Sequence, residues 1–370
     1  MVVQGALTSW VGLSIVFNTR LMRLCRIFLN PDDLTLKLLR SSTSYFGYNP
    51  RQCFEASLSA SNLEFVKSKV EANIKAAASS NIMQLLIDAQ TGGQGSVVPH
   101  TIFQISPTEA DKNQLLSRCQ IGGVSRWALD CLLCQYKTHK AHMTAKFYQE
   151  ISTMDGAEAL RGHMFEWQVL NYLQDIRDDR RVFSILSLID PDSEVTWTNS
   201  DSEVPVMWTY QPTTLTHFQG STVIKEITEA VRDRKRLHLV PLVPNFPAVD
   251  SILYDPDDPD AVLTCIQITR RVTHPIAVSG LQRIQSWLKL RSPLTSLRPS
   301  IAKPWRFLFV VPLNIASTYK FQKFEGDTTT KAWAGKVHQY VLGLGERTIF
   351  GGISDSSAIT LQEGQQQVWC

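Results

Sequence analysis

The sequence predicts a protein of the α/β (α+β) class, in which a helical N-terminal segment precedes a central mixed β-sheet flanked by helices. Two observations lead to this prediction. Between residues 46 and 150, apolar residues recur at steps of three and four, which is the period of amphipathic helices. From about residue 157, short runs rich in β-branched and aromatic residues alternate with helix-forming stretches, which is typical of a sheet covered by helices.

The composition is that of an ordinary globular protein. Hydrophobic residues make up 44% of the 370-residue chain and charged residues 19%, which excludes a disordered or fibrous protein. A net charge of +3 does not by itself indicate a polyanionic partner. Seven scattered cysteines favour a reducing compartment over a disulfide framework. We therefore expect an intracellular protein, and both a nuclear location and secretion as an effector stay open.

Three regions are predicted along the chain: a lead-in over residues 1–45, a helical domain over 46–150 and a sheet-containing domain over 151–370. The lead-in begins with MVVQGALTSWVGLSIVF, which is too short and too polar for a membrane span and lacks the basic start of a signal peptide. We expect this lead-in to be amphipathic or poorly ordered.

Two long helices are predicted in the helical domain. The stretch NLEFVKSKVEANIKAAASSNIMQLLIDAQ carries Leu63, Val66, Val70 and Ile74 on one face, and TGGQGSVVPHTIF ends it. The stretch GVSRWALDCLLCQYKTHKAHMTAKFYQEIS predicts a second helix with Ser125 as its N-cap.

In the sheet-containing domain the elements follow in the order helix, several strands, helix, strand. The first helix is GAEALRGHMFEWQVLNYLQDI, in which Glu166 lies next to the apolar stripe. The predicted strands lie in RVFSILSLI, PVMWTYQP, LHLVPLVPNFPAVDSILY, AVLTCIQIT and WRFLFVVPL, and the second helix lies in PIAVSGLQRIQSWLKL.

A candidate metal site lies in the strand–turn–strand unit. Side chains on one face of adjacent strands lie about 5–6 Å apart, so Asp250 and Gln267 are expected to meet. Their oxygens suit Mg²⁺, which activates water and neutralises charge on a phosphate. Glu166, on the preceding helix, adds a third oxygen. The predicted metal ligands are therefore Asp250, Gln267 and Glu166.

At these residues the sequence resembles the nuclease domain of the Crinkler and retrotransposon hot spot (RHS) group, a branch of the PD-(D/E)xK restriction-endonuclease-like superfamily. The matching stretches are GHMFEWQVL, NFPAVDSIL and CIQITRRVTHPIAVSGLQRI. Upstream, YFGYNPRQCFEAS and GGVSRWALDCLL resemble the helical segment that joins a P-loop NTPase to the nuclease in this group. The resemblance covers residues 46 to 345, and it rests on the order of these stretches rather than on any single motif.

The resemblance implies an Mg²⁺- or Mn²⁺-dependent endonuclease that hydrolyses phosphodiester bonds, with DNA as the expected nucleic acid. It implies that Glu166 is the helix acid, that Asp250 is the metal-binding acid, and that His274 lies in the H-P-I of this branch. Gln267 stands where the superfamily has its second acid, and Thr269 stands where it has a lysine. The first change removes a negative charge from the metal site, and the second removes a cation that stabilises the transition state.

Further expectations follow from the resemblance and from the positions of the basic residues. Arg270, Arg271 and His274 are candidates for the missing cation. No G-x-x-x-x-G-K-[ST] motif occurs, so we expect an N-terminally truncated member without ATPase activity, and an NTPase or host-protein partner stays open. If nucleic acid binds, the basic rim is expected from Arg232, Arg234, Lys235, Arg236, Arg270 and Arg271. The alternative is a catalytically silent nucleic-acid-binding or protein-binding member of the same fold.

Overall fold

The computed structural model describes residues 33–350, except positions 48, 79–81, 83–85, 87–101, 108–118, 140, 175–180, 191–204, 219–221, 243–245, 259–262, 290–291 and 327–329. Residues 1–32 of the predicted lead-in and most of the glycine-containing stretch that was expected to end the first long helix lie outside these described residues.

Ten α-helices lie in the described part of the chain. They are α1 Asp33–Phe46, α2 Pro50–Ser57, α3 Ala60–Ala78, α4 Arg126–His139, α5 Ala141–Ser152, α6 Glu158–Gln174, α7 Thr222–Asp233, α8 Val278–Lys289, α9 Leu313–Ala316 and α10 Glu346–Ile349. Short 3₁₀ helices span Ser292–Leu297 and Thr330–Trp333. Within the described ranges, no helix combines the length and apolar character needed to cross a bilayer.

Twelve strands are described, and eight of them form one mixed sheet. The strands are β1 Phe103–Pro107, β2 Cys119–Gly123, β3 Arg181–Leu188, β4 Val206–Tyr210, β5 Leu215–Phe218, β6 Leu237–Pro241, β7 Ser251–Tyr254, β8 Thr264–Ile268, β9 Ile276–Ala277, β10 Trp305–Pro312, β11 Phe324–Glu325 and β12 Val337–Leu344. The order in the main sheet is β4-β3-β12-β10-β8-β7-β6-β5, whereas β1 pairs with β2 and β9 pairs with β11.

The sheet is mixed because its connections differ in length. Strands β6, β7 and β8 form an antiparallel meander, since connections of only nine residues each join them, without a crossover helix. Helix α8 then crosses over, so β10 runs parallel to β8, and β12 runs parallel to β10. The predicted fold class, a helical segment followed by a central mixed sheet flanked by helices, is confirmed.

Two apolar cores cover the two faces of the sheet. The first core joins the helical segment, through side chains such as Leu132, to Ile266 and Ile268 of β8. The second core packs α7 and α8 against the opposite face, which includes Cys265 and Phe307. Both faces are therefore covered at the centre of the sheet, where every residue of β8 and β10 is buried. The predicted regions 46–150 and 151–370 share the first core, so the boundary between them does not separate two hydrophobic cores.

Local expectations agree with the structure in most of the described elements. Val66, Val70 and Ile74 are buried on α3, and Ser125 Oγ accepts the Ala128 backbone N–H at 3.1 Å and thus caps α4. The single helix predicted over residues 123–152 is instead described as α4 and α5, with residue 140 outside the description.

Several described elements were not anticipated. The β1–β2 hairpin lies inside the region predicted to be mainly helical, and α1 lies largely inside the predicted lead-in. Helix α7 and strands β5 and β12 were also missed. Strand β12 is placed between β10 and β3, which are distant from each other in sequence, so no local pattern specifies its neighbours.

Candidate active site

Asp250 lies immediately before β7, in a turn that is tightly packed against α8. Ala248 has a positive φ of 71°, which is uncommon for a residue with a side chain. Gly280 of α8 permits this turn to approach, because a Cβ there would lie 2.0 Å from the Pro247 carbonyl oxygen. The Asp250 backbone N–H donates to the Ile266 carbonyl at 2.9 Å, so β8 fixes the residue on its other side. Two neighbouring elements therefore determine where the carboxylate lies.

The structure brings Asp250 and Gln267 together, as the sequence predicts. Gln267 Nε2 donates to Asp250 Oδ2 at 2.6 Å, and the Ile268 backbone N–H donates to the same oxygen at 2.7 Å. The donor end of the Gln267 amide, its nitrogen, thus faces the carboxyl group. Gln267 is therefore an orienting donor to Asp250 in this arrangement, whereas the sequence predicts a metal ligand that offers its oxygen.

Glu166 approaches from α6 and is paired with an arginine from α4. Its Oε1 lies 2.7 Å from an Nη of Arg126, and the two side chains are only 15% and 19% exposed. At this distance the guanidinium and the carboxylate form a close ion pair. Arg126 Nε also lies 3.8 Å from Asp130, whose other oxygen contacts His163 Nε2 at 3.1 Å. We call Arg126, Asp130, Glu166 and Asp250 the acid–arginine cluster.

The charges of this cluster act on one another. Removal from water raises the pKa of Asp250 well above its usual range, and the Glu166 charge raises it further, while the hydrogen bonds to its Oδ2 and the Arg126 charge lower it in part. Burial lowers the pKa of Arg126, but Glu166, Asp130 and Asp250 together raise it by more. Asp250 is partly exposed as a whole residue, whereas its carboxyl group is enclosed by the fold. Two carboxylates and a guanidinium thus lie within electrostatic reach of one another.

Thr269 and His274 make contacts that fix the loop after β8. Thr269 Oγ1 accepts the Arg271 backbone N–H at 3.1 Å, so its hydroxyl is used within its own turn. The His274 backbone N–H donates to Gln322 Oε1 at 2.6 Å. Burial and the neighbouring Arg271 lower the pKa of His274, which favours the neutral ring at pH 7. Neither side chain is shown in contact with Asp250, so both remain predictions as catalytic groups.

The two arginines of this loop have different surroundings. Arg270 Nε lies 3.3 Å from Glu346 Oε1, and its guanidinium lies 5.7 Å from the centre of the Tyr148 ring. Arg271 is exposed. Both follow β8 directly and therefore lie at the same end of the strand pair as Asp250.

The other predicted rim residues lie at the opposite end of β7. Arg236 precedes β6, whose first residue pairs with the last residue of β7, whereas Asp250 precedes the first residue of β7. Four strand residues separate the two ends, which is about 13 Å. This group pairs locally with acids, through the contacts Arg232–Asp233, Lys235–Asp233, Arg236–Asp255 and Arg236–Asp257. The structure does not bring Arg232, Arg234, Lys235 and Arg236 to Asp250.

Comparison with known proteins assigns no family to this chain. No protein-family model, curated protein or solved structure matches it. The resemblance to the Crinkler/RHS branch of the PD-(D/E)xK superfamily therefore stays a prediction.

Sequence reasoning missed Arg126, Asp130 and His163. One signal was available, because Arg126 stands in the first turn of α4, where a cation opposes the helix dipole and an acid is the favourable residue. A cation in that position indicates a partner elsewhere in the fold. The sequence does not indicate which acid that partner is.

Proposed function

We propose that this protein is a divalent-metal-dependent nuclease, which hydrolyses phosphodiester bonds of nucleic acid at the site around Asp250. The observation that supports it is the placement of Asp250, which two donors hold at the end of a strand within electrostatic reach of Glu166 on a facing helix. The order of helix, meander, crossover helix and parallel strand in this part of the fold also agrees with the predicted restriction-endonuclease-like core.

The donor set fits Mg²⁺ or Mn²⁺. These ions are commonly bound through one or two carboxylates, several waters and the phosphates of the substrate. Asp250 and Glu166 supply the carboxylates, and Glu166 Oε1 has the Arg126 guanidinium as its neighbour at 2.7 Å. When bound, the ion activates water and neutralises charge on the phosphate. In the described ranges, no group of three or more His, Cys, Asp or Glu side chains is placed to hold a metal ion, so the substrate phosphate and water are needed to complete the site.

The residues of the chain have distinct tasks in this proposal. Gln267 Nε2 and the Ile268 N–H hold one oxygen of Asp250, which leaves its other oxygen to bind the ion. Arg126 places positive charge beside the acids.

A second candidate function is a catalytically silent binding protein with the same fold. Two observations favour it: Arg126 already neutralises Glu166, and Gln267 turns a nitrogen rather than an oxygen towards Asp250. In that case the fold would bind nucleic acid or a protein partner without cleavage.

Nicking of supercoiled plasmid in Mg²⁺ or Mn²⁺ tests the proposal. Asp250→Asn keeps the shape of the side chain but removes its charge, and Asp255→Asn is the matched control, because Asp255 lies at the other end of β7 and pairs with Arg236. We expect wild type and Asp255→Asn to nick plasmid and Asp250→Asn to lose at least about a hundredfold in rate. Equal nicking by all three would indicate a contaminant and would support the silent candidate.

A further inference from the structure

Arg126 occupies an unusual position for a helix residue. It starts α4, it is mostly buried, and it contacts Glu166 of α6 at 2.7 Å. A buried arginine is strongly stabilised by a facing carboxylate, and that carboxylate is in turn neutralised. Glu166 is also one of the two acids that the proposed metal site requires. The same oxygen cannot serve the guanidinium and a divalent ion equally well.

We propose that Arg126 is a built-in counter-ion of the site, which holds Glu166 in the metal-free protein and competes with the divalent ion for this carboxylate. The inference rests on the metal site of the proposed function, but it concerns binding rather than cleavage. It also assigns a role to the helical segment, since Arg126 belongs to α4 and the acids belong to α6 and β7.

Asp130 allows Arg126 to give up Glu166 without becoming an isolated buried charge. It lies four residues later on the same helix face, with its Oδ2 3.8 Å from Arg126 Nε, while its Oδ1 contacts His163 Nε2 at 3.1 Å. A guanidinium has donors on several nitrogens, so contact with Asp130 is compatible with release of Glu166. The freed Nη groups suit a phosphate, which arginine binds through paired hydrogen bonds.

Mn²⁺ affinity measures this competition directly, because free Mn²⁺ is quantified by its electron paramagnetic resonance signal. The full chain would be compared with Arg126→Gln, which removes the charge, and with Arg126→Lys, which keeps it. Arg161→Gln is the matched control: Arg161 is 17% exposed, against 19% for Arg126, and it also pairs with a glutamate of α6. Circular dichroism and thermal unfolding verify that each variant is folded.

We expect Arg126→Gln to bind Mn²⁺ at least about tenfold more tightly than wild type, since a nearby positive charge opposes a divalent ion in a poorly solvated site. Arg126→Lys and Arg161→Gln should stay within about threefold of wild type. The gain must disappear in the double variant Arg126→Gln/Asp250→Ala. Asp130→Asn gives a change in the opposite direction, because it leaves Arg126 with Glu166 as its main partner and should weaken Mn²⁺ binding severalfold.

Several results would overturn the inference. They are unchanged or weaker Mn²⁺ binding by Arg126→Gln, a gain that persists without Asp250, unchanged or tighter binding by Asp130→Asn, or no binding by any variant. If Arg126→Gln does not fold, the Asp130→Asn result decides. The proposed function can fail separately. Plasmid nicking that does not depend on Asp250 refutes the nuclease, even if Arg126→Gln binds Mn²⁺ more tightly. Nicking that depends on Asp250, together with an unchanged Mn²⁺ affinity of Arg126→Gln, refutes only the counter-ion role of Arg126.

Discussion

His238 gives the fold a pH dependence that can be calculated from the structure. It is fully buried on β6, with Nε2 2.9 Å from Ser251 Oγ and Nδ1 3.1 Å from the Tyr210 hydroxyl. Burial lowers its pKa from 6.5 to about 4. The folded protein therefore holds this ring neutral over a range in which the unfolded chain binds a proton. Ser251 follows Asp250, so this network also anchors the strand that carries the candidate site.

The sign and size of this pH dependence follow from the difference in proton binding between the folded and unfolded states. Because the unfolded state binds more protons between pH 6.5 and 4, the free energy of unfolding decreases as the pH falls through this range. A pKa difference of one unit corresponds to about 1.4 kcal/mol, so the full loss is about 3 kcal/mol below pH 4, and about 2 kcal/mol has been lost at pH 5. Above about pH 7.5 this loss of unfolding free energy is negligible, because the ring is neutral in both states.

Urea unfolding at pH 7.5 and pH 5 measures this loss. His238→Gln removes the titrating ring but keeps an amide donor, so its free energy of unfolding should fall by about 2 kcal/mol less than that of wild type over this interval. Ser251→Ala is the control, since it removes a partner but keeps the buried histidine, and its pH dependence should match wild type. Asp250 titrates with the opposite sign in every variant and cancels in the comparison. Equal pH dependence of wild type and His238→Gln would refute the reasoning.

Two further predictions concern the candidate site and its surface. Gln267→Glu should tighten Mn²⁺ binding about tenfold, because it adds a carboxylate beside Asp250, although it removes the amide that donates to Asp250. Weaker binding measured by the same resonance assay would contradict a metal ion shared by the side chains at positions 250 and 267. Binding to a DNA duplex should weaken steeply as salt rises, and Arg271→Gln should reduce both the affinity and its salt dependence. Arg232→Gln should change neither, because Arg232 belongs to the group near the opposite end of β7. Fluorescence anisotropy at several salt concentrations measures both, and a response that is flat in salt would favour a protein partner.

The sequence determined those features that depend on neighbours along the chain. The spacing of Val66, Val70 and Ile74 predicted the buried face of α3, because a helix returns to the same face every three or four residues. The meeting of Asp250 and Gln267 was also predictable, since only nine residues separate β7 from β8, which favours antiparallel pairing. The class of the fold follows from the order of such elements.

Only the tertiary structure decided which charges act together. Arg126 and Glu166 belong to different helices, and their contact depends on where the fold places α4 and α6, which no local period encodes. The same holds for Arg236. The sequence predicts it in a basic patch, but the β6–β7 pairing brings it into contact with Asp255 and Asp257. Charged side chains carry little information about their partners, because burial and the dielectric surroundings that give a charge its effect are properties of the packed molecule.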